Sequence, residues 1–296
     1  MNNTTRNEST GFLDNPEQLV AAALNEHGFM LQQVIRRKLD GSIKDTKDEW
    51  KDQWRFVATE YPVTAADGSQ TRIDLLLRHC YGRSVHICLE CKRPNPRFKK
   101  WIFFDRESAV AGTDDWQIYV ETLHVGSQPN SPPDVRHNLE RLTNKRQVPT
   151  FNYYIEAAIK RDGSASNNEA IEKAFCQVIK GQSGLMNKFE RAQSAGMFRC
   201  IPVVVTTADL LEAEFDPTLV SVETGMIEAK ALNLVSMDYC AVNYHADDSL
   251  ALPLPSPHER APGVNDLINA QIRTVFVVKA TALNTFLNWA NFNLMD

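Results

Sequence analysis

Three short segments in the first third of the chain have the composition and spacing of β-strands, and they constrain the fold more than any other feature. Each is rich in β-branched and aromatic residues and is bounded by turn-forming residues. The segments are WRFVATEYPV (54–63), TRIDLLLRHC (71–80) and VHICLECKR (85–93). Their connections are short, with Asp67-Gly68 in the first and YGRS in the second, so neighbouring strands should run antiparallel. The sequence therefore predicts a three-stranded antiparallel meander.

Helices are predicted on both sides of this meander. Asn15 and Pro16 make a good cap and first turn, and apolar residues follow at helical spacing as far as Gly28. Beyond that glycine the chain fits either a second helix or an approach to the first strand. Residues 168–181 hold apolar side chains at i, i+3, i+4, i+7 and i+8, and this helix is expected to extend past its two glycines. The continuous apolar run at 200–210 predicts a buried strand.

The rest of the chain is predicted to enlarge this core. Residues 94–167 are interpreted as an insertion with a strand at 117–125 and a short helix at 134–142. Further strands are expected at 219–225, 232–244 and 273–280, and a last helix at 281–292. The fold class is therefore mixed α/β, with helices on the faces of a mixed sheet. The predicted organisation is a flexible leader at 1–14 and a single domain at 15–296, made of a core (15–93 and 168–210), the insertion and a C-terminal elaboration (211–296).

Composition and charge exclude several classes of protein. The net charge of −5 is not that of a basic nucleic-acid coat, although a local basic patch can still bind nucleic acid. No apolar run approaches the roughly 20 residues that span a membrane, and the polar N-terminus lacks an apolar signal core. A cytoplasmic location with reduced cysteines is the expectation. Cys88 and Cys91 form a CxxC without a second close pair, so small buried thiols are favoured over a zinc site.

Three charged residues on the second and third strands form the most informative pattern. Glu90 and Lys92 share a face of their strand, beside Cys88, and a hairpin can bring Asp74 next to them. Two neighbouring carboxylates repel each other unless a cation lies between them. Oxygen ligands of this kind suit Mg²⁺ or Mn²⁺. Lys92 would orient or deprotonate an attacking water and stabilise charge on a phosphate.

The stretch EYPVTAADGSQTRIDLLLRHCYGRSVHICLECKR resembles the core of the PD-(D/E)XK nuclease superfamily, which has the restriction-endonuclease-like fold. The order of a helix, a three-strand meander, a helix and a further strand is similar over 15–93 and 168–206. Asp74 matches the family's first carboxylate, and Glu90 and Lys92 match its (D/E)xK motif. Ile73 replaces the proline that precedes the first carboxylate in the literal motif.

The resemblance implies further site residues and an activity. It implies that the Cys91 backbone carbonyl is a metal ligand, that Glu17 is an acidic ligand from the first helix, and that Gln177 is a supporting residue on the later helix. The activity implied is that of an endonuclease dependent on Mg²⁺ (or Mn²⁺), cutting DNA to leave 5′-phosphate and 3′-hydroxyl ends. Restriction or antiviral defence is the implied setting, with a homodimer or a larger defence complex as the implied assembly, and DNA is favoured over RNA.

A basic segment follows the motif directly. KRPNPRFKK contains Arg93, Arg97, Lys99 and Lys100 and no acidic residue, and it is a candidate path for a phosphate backbone. A solvated loop is the alternative. The aromatic residues of WIFF (101–104) are candidates for base stacking or, more simply, for the core.

Two interpretations compete with an active nuclease. Glu90 and Lys92 alone are also what a strand with an ion pair would carry. The chain as a whole is also compatible with a non-catalytic module that keeps the fold and binds nucleic acid or a partner protein. The presence of both carboxylates and the lysine favours the enzyme, because degenerate family members usually lose one of them.

Overall fold

The structure is a computed structural model that describes most of the chain. The described residues are 16–26, 29–41, 53–81, 84–94, 100–106, 116–126, 134–144, 148–159, 165–166, 170–192, 195–252 and 263–294. The helices are α1 (Pro16–Glu26), α2 (Phe29–Leu39), α3 (Ala170–Arg191), α4 (Val264–Gln271) and α5 (Leu283–Asn293). The strands are β1 (Trp54–Thr64), β2 (Gln70–His79), β3 (Ser84–Lys92), β4 (Lys100–Arg106), β5 (Trp116–Gly126), β6 (Asp134–Asn144), β7 (Thr150–Ile159), β8 (Ala165–Ser166), β9 (Gly196–Thr206), β10 (Asp209–Glu214), β11 (Asn233–Met237), β12 (Tyr239–His245) and β13 (Ile272–Lys279).

One large mixed sheet contains nearly all of these strands. Its order is β1-β2-β3-β9-β13-β12-β7-β4-β10-β11. The first three strands form an antiparallel meander, and β9 then adds in parallel to β3 and to β13. The β5–β6 hairpin joins through β5, which pairs with the first half of β9, and β8 pairs with β7. The protein is therefore a mixed α/β protein in which a broad sheet predominates over the helices.

Two apolar layers cover the sheet and define its faces. On one face α3 buries Ile171, Phe175 and Val178 against residues such as Leu76 and Cys88. On the opposite face α2 and α5 pack over the alternate residues of the same strands. That second layer includes Ile35, Leu39, Leu283 and Phe286, together with Leu75, Ile87, Leu89 and Val203. The alternation of β3 between the two layers explains why its centre is buried on both sides.

Close contact between α3 and the meander depends on a glycine. A Cβ on Gly184 would lie 2.6 Å from Cγ2 of Val63 and 3.2 Å from the carbonyl carbon of Thr64. Glycine therefore lets the helix backbone approach β1 more closely than any other residue would. This approach fixes the position of α3 over β1 and β2.

Most of the predicted elements around the meander are confirmed. The three strands lie within about one residue of the predicted bounds, and the segment after Gly28 is the helix α2. α3 runs without a break through its glycines, as expected. The late strands β11, β12 and β13 extend the same sheet. Among the described helices, none combines the length and the apolar character that crossing a membrane requires.

Two sequence-based predictions about the later chain are wrong, and one helix there was not predicted. The helix predicted at 134–142 is instead the strand β6, which pairs with β5 along its whole length. Contacts from other elements stabilise it there, since His137 Nε2 lies 3.2 Å from Glu190 Oε2 and Glu140 forms an ion pair with the buried Arg199. Residues 219–225 form no strand; a 3₁₀ turn (Pro217–Leu219) is followed by turns and irregular chain. The helix α4 falls where the sequence predicted no element.

Candidate active site

The Asp74 carboxylate occupies the point at which β2 and β3 stop pairing. Their register runs from Arg78 opposite His86 to Leu75 opposite Leu89, and its next step would set Asp74 opposite Glu90. The backbone N–H of Cys91 instead donates to Asp74 Oδ2 at 2.8 Å. The Asp74 side chain thus accepts the hydrogen bond of a strand amide. This bond fixes one of its carboxylate oxygens close to β3.

The period-two alternation of β2 also breaks at this point. Ile73 and Leu76 pack in the apolar layer under α3, whereas Leu75 packs in the layer on the opposite face. In a regular strand, residues 73 and 75 would share a face. Local distortion around Asp74 is therefore part of the fold of β2.

Glu90 and Lys92 lie together on β3, as the sequence predicted. Lys92 Nζ is 2.8 Å from Glu90 Oε1, and the Glu90 side chain is 7% exposed. The pairing with β9, which sets Glu90 beside Val204 and Lys92 beside Thr206, holds this end of β3 in place. A buried carboxylate thus has a cationic partner on its own strand.

Gln177 of α3 completes a contact across the site. Lys92 Nζ donates a hydrogen bond to Gln177 Oε1 at 2.5 Å. The helix reaches this position because Gly181, one turn later, packs closely on Ile73, where an added Cβ would be 3.0 Å from Cγ1. The structure therefore brings together Asp74, Glu90, Lys92 and Gln177, all of which the sequence analysis had singled out.

Burial raises the pKa of both carboxyl groups. Burial is the main reason that the pKa of Asp74 is raised to about 6, with the negative charge of Glu60 adding to it and the Cys91 N–H and Lys92 opposing it. Burial likewise raises the pKa of Glu90 to about 7, with Asp74 as the next cause and Lys92 again opposing. Paired carboxyls with raised pKa values near a lysine are a common mark of a functional site.

Gln32 and Glu60 also lie at this site, and neither was predicted from the sequence. Gln32 of α2 is 5% exposed, and its Nε2 donates to Glu60 Oε1 at 2.6 Å and to the Asp74 backbone carbonyl at 3.2 Å. Glu60 lies on β1 with a positive φ of 51°. The register of β1 and β2, with Thr59 opposite Leu75 and Tyr61 opposite Ile73, sets Glu60 across from Asp74. The one signal for Glu60 in the sequence is the register of the β1–β2 hairpin, which sets residue 60 across from residue 74.

The donor set fits a hard divalent cation better than a soft one. Among the described residues, no three His, Cys, Asp or Glu side chains are grouped so that they could hold a metal ion by themselves. Asp74 and Glu90 both have raised pKa values, the charge of Asp74 adds to the shift at Glu90, and a cation between them would relieve that repulsion. Mg²⁺ commonly binds through one or two carboxylates and keeps several waters. The Cys91 carbonyl stays a predicted additional ligand.

The other predicted residues that the structure describes are Glu17, Arg93 and Lys100. Glu17 is exposed on α1, whose packing partner is α2, so its role as a ligand stays a prediction. Arg93 is half-buried just after Lys92, and Lys100 is exposed at the start of β4. In the sheet, β4 is separated from β3 by β9, β13, β12 and β7. Arg97 and Lys99 fall outside the described residues.

Aromatic residues of the segment 101–104 serve the core. Trp101 and Phe103 are fully buried, in the layer under α3. The Trp101 indole N–H donates to the buried Glu156 at 3.3 Å, so its polar edge is satisfied inside the protein. Base stacking by these two rings is therefore incompatible with the folded structure.

A basic cleft adjoins Lys92 on the α3 side. It has a volume of about 480 Å³ and is lined by Lys92, Ala170, Lys173, Cys176, Gln177 and Lys180. Three of these six residues are lysines. Lys180 also lies 3.1 Å from Asp67 Oδ2, at the turn between β1 and β2. Lysine side chains thus continue from the carboxylate site along α3, and Lys180 is paired there with Asp67.

A scan against protein-family models gave no match, and searches of the curated proteins and of the solved structures gave none either. The interpretation of this site consequently depends on its own geometry. That geometry combines the buried Glu90 and the half-buried Asp74, an ammonium 2.8 Å from Glu90 and an adjoining cleft with three lysines.

Proposed function

We propose that this protein is a metal-dependent endonuclease that hydrolyses DNA phosphodiester bonds, with a restriction-endonuclease-like core formed by the helices around β1, β2, β3 and β9. The observation that carries the proposal is the arrangement of Asp74, Glu90 and Lys92 at the point where β2 and β3 separate. A half-buried and a buried carboxylate with raised pKa values are costly to keep side by side unless they bind a cation. Lys92 beside them supplies the cationic group that phosphoryl chemistry needs.

Each residue has a distinct part in this proposal. Asp74 and Glu90, with the Cys91 carbonyl, would hold Mg²⁺ or Mn²⁺. When bound, such an ion polarises a phosphodiester and lowers the pKa of a coordinated water. Lys92 Nζ would orient the attacking water and stabilise negative charge on the phosphate. Gln177 holds that ammonium by accepting its hydrogen bond at 2.5 Å.

The basic cleft supports nucleic acid as the substrate class. Lys173 and Lys180 line it together with Lys92, so successive phosphates can be neutralised beside the carboxylates. Contacts of this kind position a backbone without reading its bases. DNA, restriction or antiviral defence, and a homodimeric or larger assembly remain part of the proposal through the resemblance of the motif.

The direct experiment is a cleavage assay with several polymers and several cations. Supercoiled plasmid, single-stranded DNA and RNA are each incubated with Mg²⁺, Mn²⁺ or EDTA, alongside a double variant, Asp74→Asn with Glu90→Gln. We expect cleavage of DNA that needs a divalent cation and is absent from the double variant. A matched variant, Glu214→Gln, changes an exposed carboxylate on β10 and should cleave normally.

Two results would contradict the proposal. Equal cleavage by the double variant would point to a contaminating nuclease. Tight binding of DNA without cleavage in any cation would instead indicate the non-catalytic module.

A further inference from the structure

Glu60 is held in a backbone conformation that a strand residue rarely adopts. Its φ of 51° lies in the left-handed region, and among the described residues it is the one non-glycine residue there. A side chain with a Cβ is strained in that region and persists when its surroundings hold it. The neighbours of Glu60 on β1, Thr59 and Tyr61, still pair with Leu75 and Ile73. The positive φ therefore falls at the residue that lies across from Asp74.

Gln32 is the group that holds the Glu60 side chain. Its Nε2 lies 2.6 Å from Glu60 Oε1, and the same nitrogen lies 3.2 Å from the Asp74 carbonyl oxygen. Gln32 is 5% exposed, so this amide is fixed by the packing of α2 against the meander. One buried side chain thus ties the Glu60 carboxylate to the backbone of Asp74. An amide that donates a hydrogen bond to one carboxylate oxygen also orients the second oxygen of that carboxylate.

The charge of Glu60 acts on the site itself. It contributes to the raised pKa values of both Asp74 and Glu90. A third carboxylate beside these two destabilises the metal-free protein, and a divalent cation reverses the sign of that effect. Because the three carboxylates are not grouped as direct ligands, contact through water fits better than a direct bond. Mg²⁺ keeps several of its waters when bound to proteins, and those waters need acceptors.

We propose that Glu60, positioned by Gln32, is the third acidic residue of the site and binds the hydrated cation through its waters. This proposal rests on the proposed function. It gives Glu60 on β1 the role of an additional acidic residue at the metal site. The motif resemblance gives that role to Glu17 on the first helix. Outer partners of this kind commonly change metal affinity by about 10- to 100-fold.

The test measures metal affinity rather than cleavage. Mn²⁺ is titrated calorimetrically into the full-length protein and its variants. We expect Glu60→Gln to weaken binding about tenfold, and Glu60→Asp, which keeps the charge, to recover part of the loss. Gln32→Met, which cannot donate, should weaken binding several-fold with Glu60 intact. Glu214→Gln is the matched carboxylate control, with expected wild-type affinity.

A glycine variant separates binding from folding. Glycine adopts a φ of 51° without strain, so Glu60→Gly should melt at a higher temperature than Glu60→Ala, which loses the same carboxylate and keeps the strain. It should nevertheless bind Mn²⁺ as weakly as Glu60→Gln. A difference in stability between these variants without a difference in affinity is not expected if Glu60 affects metal binding only through the fold of β1.

The outcomes separate this inference from the proposed function. Wild-type affinity in Glu60→Gln, or a larger loss in Glu17→Gln than in Glu60→Gln, overturns the role of Glu60 and leaves the nuclease proposal standing. Wild-type protein that takes up no Mn²⁺ and cleaves nothing overturns both.

Discussion

The ammonium nitrogen of Lys92 lies 2.8 Å from Oε1 of Glu90, two positions earlier on the same face of β3. Lys92 is only half-buried, so its side chain contributes more to this site than to the core. We predict that Lys92→Ala lowers the single-turnover cleavage rate by about 10²- to 10⁴-fold, the usual contribution of a positioned proton-transfer group. The melting curve should stay cooperative. Lys230→Ala, an exposed lysine elsewhere, is the control. A folded Lys92→Ala protein that cleaves at the wild-type rate would remove Lys92 from the mechanism.

Asp74→Asn should weaken divalent-metal binding at least tenfold, because it removes a charge from a hard oxygen site. The amide can still occupy the position near the Cys91 N–H, so the fold should survive. Calorimetric titration with Mn²⁺ measures the effect, and Asp216→Asn, at an exposed turn, is the matched control. Unchanged affinity in Asp74→Asn would show that the cation binds elsewhere.

The raised pKa values of Asp74 and Glu90 predict an unusual pH dependence of stability. Unfolded carboxyl groups titrate near pH 4, whereas these two titrate at about 6 and about 7 in the folded protein. Between those limits the folded state binds more protons than the unfolded state, so the free energy of unfolding falls as the pH rises. We expect this pair to lower it by on the order of 5 kcal/mol from pH 4 to pH 8 without metal.

Urea unfolding in EDTA at several pH values tests this. The double variant Asp74→Asn with Glu90→Gln lacks the titrating groups, so it should exceed wild type in stability at pH 8 and approach it at pH 4. Parallel curves for the two proteins across this range would rule out the shifts.

Two basic surfaces compete as the path of the phosphate backbone. One is the α3 cleft with Lys173 and Lys180, and the other is the segment with Arg97, Lys99 and Lys100. Reversing the charge of residues that contact phosphates should flatten the dependence of log K on log salt by about one unit per lost contact. We expect Lys173→Glu with Lys180→Glu to remove about two units. Binding isotherms at several salt concentrations compare this variant with Arg97→Glu plus Lys99→Glu, and an unaltered slope in the first variant would exclude the cleft.

Gly184→Ala should destabilise the protein by about 1 to 3 kcal/mol, because the new methyl group would collide with Val63 at 2.6 Å. The better helix propensity of alanine offsets at most about 1 kcal/mol of this. Adding Val63→Ala should recover part of the loss, since it vacates the space that the methyl group needs. Thermal unfolding of wild type, the two single variants and the double variant gives a double-mutant cycle, which measures the interaction between positions 184 and 63. Strict additivity would show that helix and strand do not collide there.

The parts of the fold predicted correctly are those with local signals. Alternating β-branched residues and a tight Asp67-Gly68 turn sufficed for the meander, and a regular apolar stripe sufficed for α3. The strand β6 was missed because DVRHNLERL suits a helix locally, and long-range partners such as Arg199 decide its conformation. The helix α4 follows a proline-rich stretch that carries no helical pattern of its own.

The same distinction applies to the candidate site. Asp74, Glu90 and Lys92 were predictable because strand period and hairpin connection relate them directly. Gln32 and Glu60 were not, since the contact of Gln32 depends on how α2 packs, and a positive φ inside a strand has no signature at a glutamate.

The parallel pairing of β3 with β9 has a consequence for how the protein is made. It joins Ser84 to Phe198 and Lys92 to Thr206, partners more than a hundred positions apart, so β3 is synthesised long before its neighbour. During that interval the nascent chain can close the β1–β2–β3 meander by local turns while one edge of β3 stays unpaired. Residues 85–91 are buried in the finished protein, so this temporary edge is apolar and open to pairing with other chains. Synthesis therefore passes through a stage in which the strand bearing Glu90 and Lys92 is the part of the molecule most prone to aggregate, and slow formation of such distant contacts prolongs it.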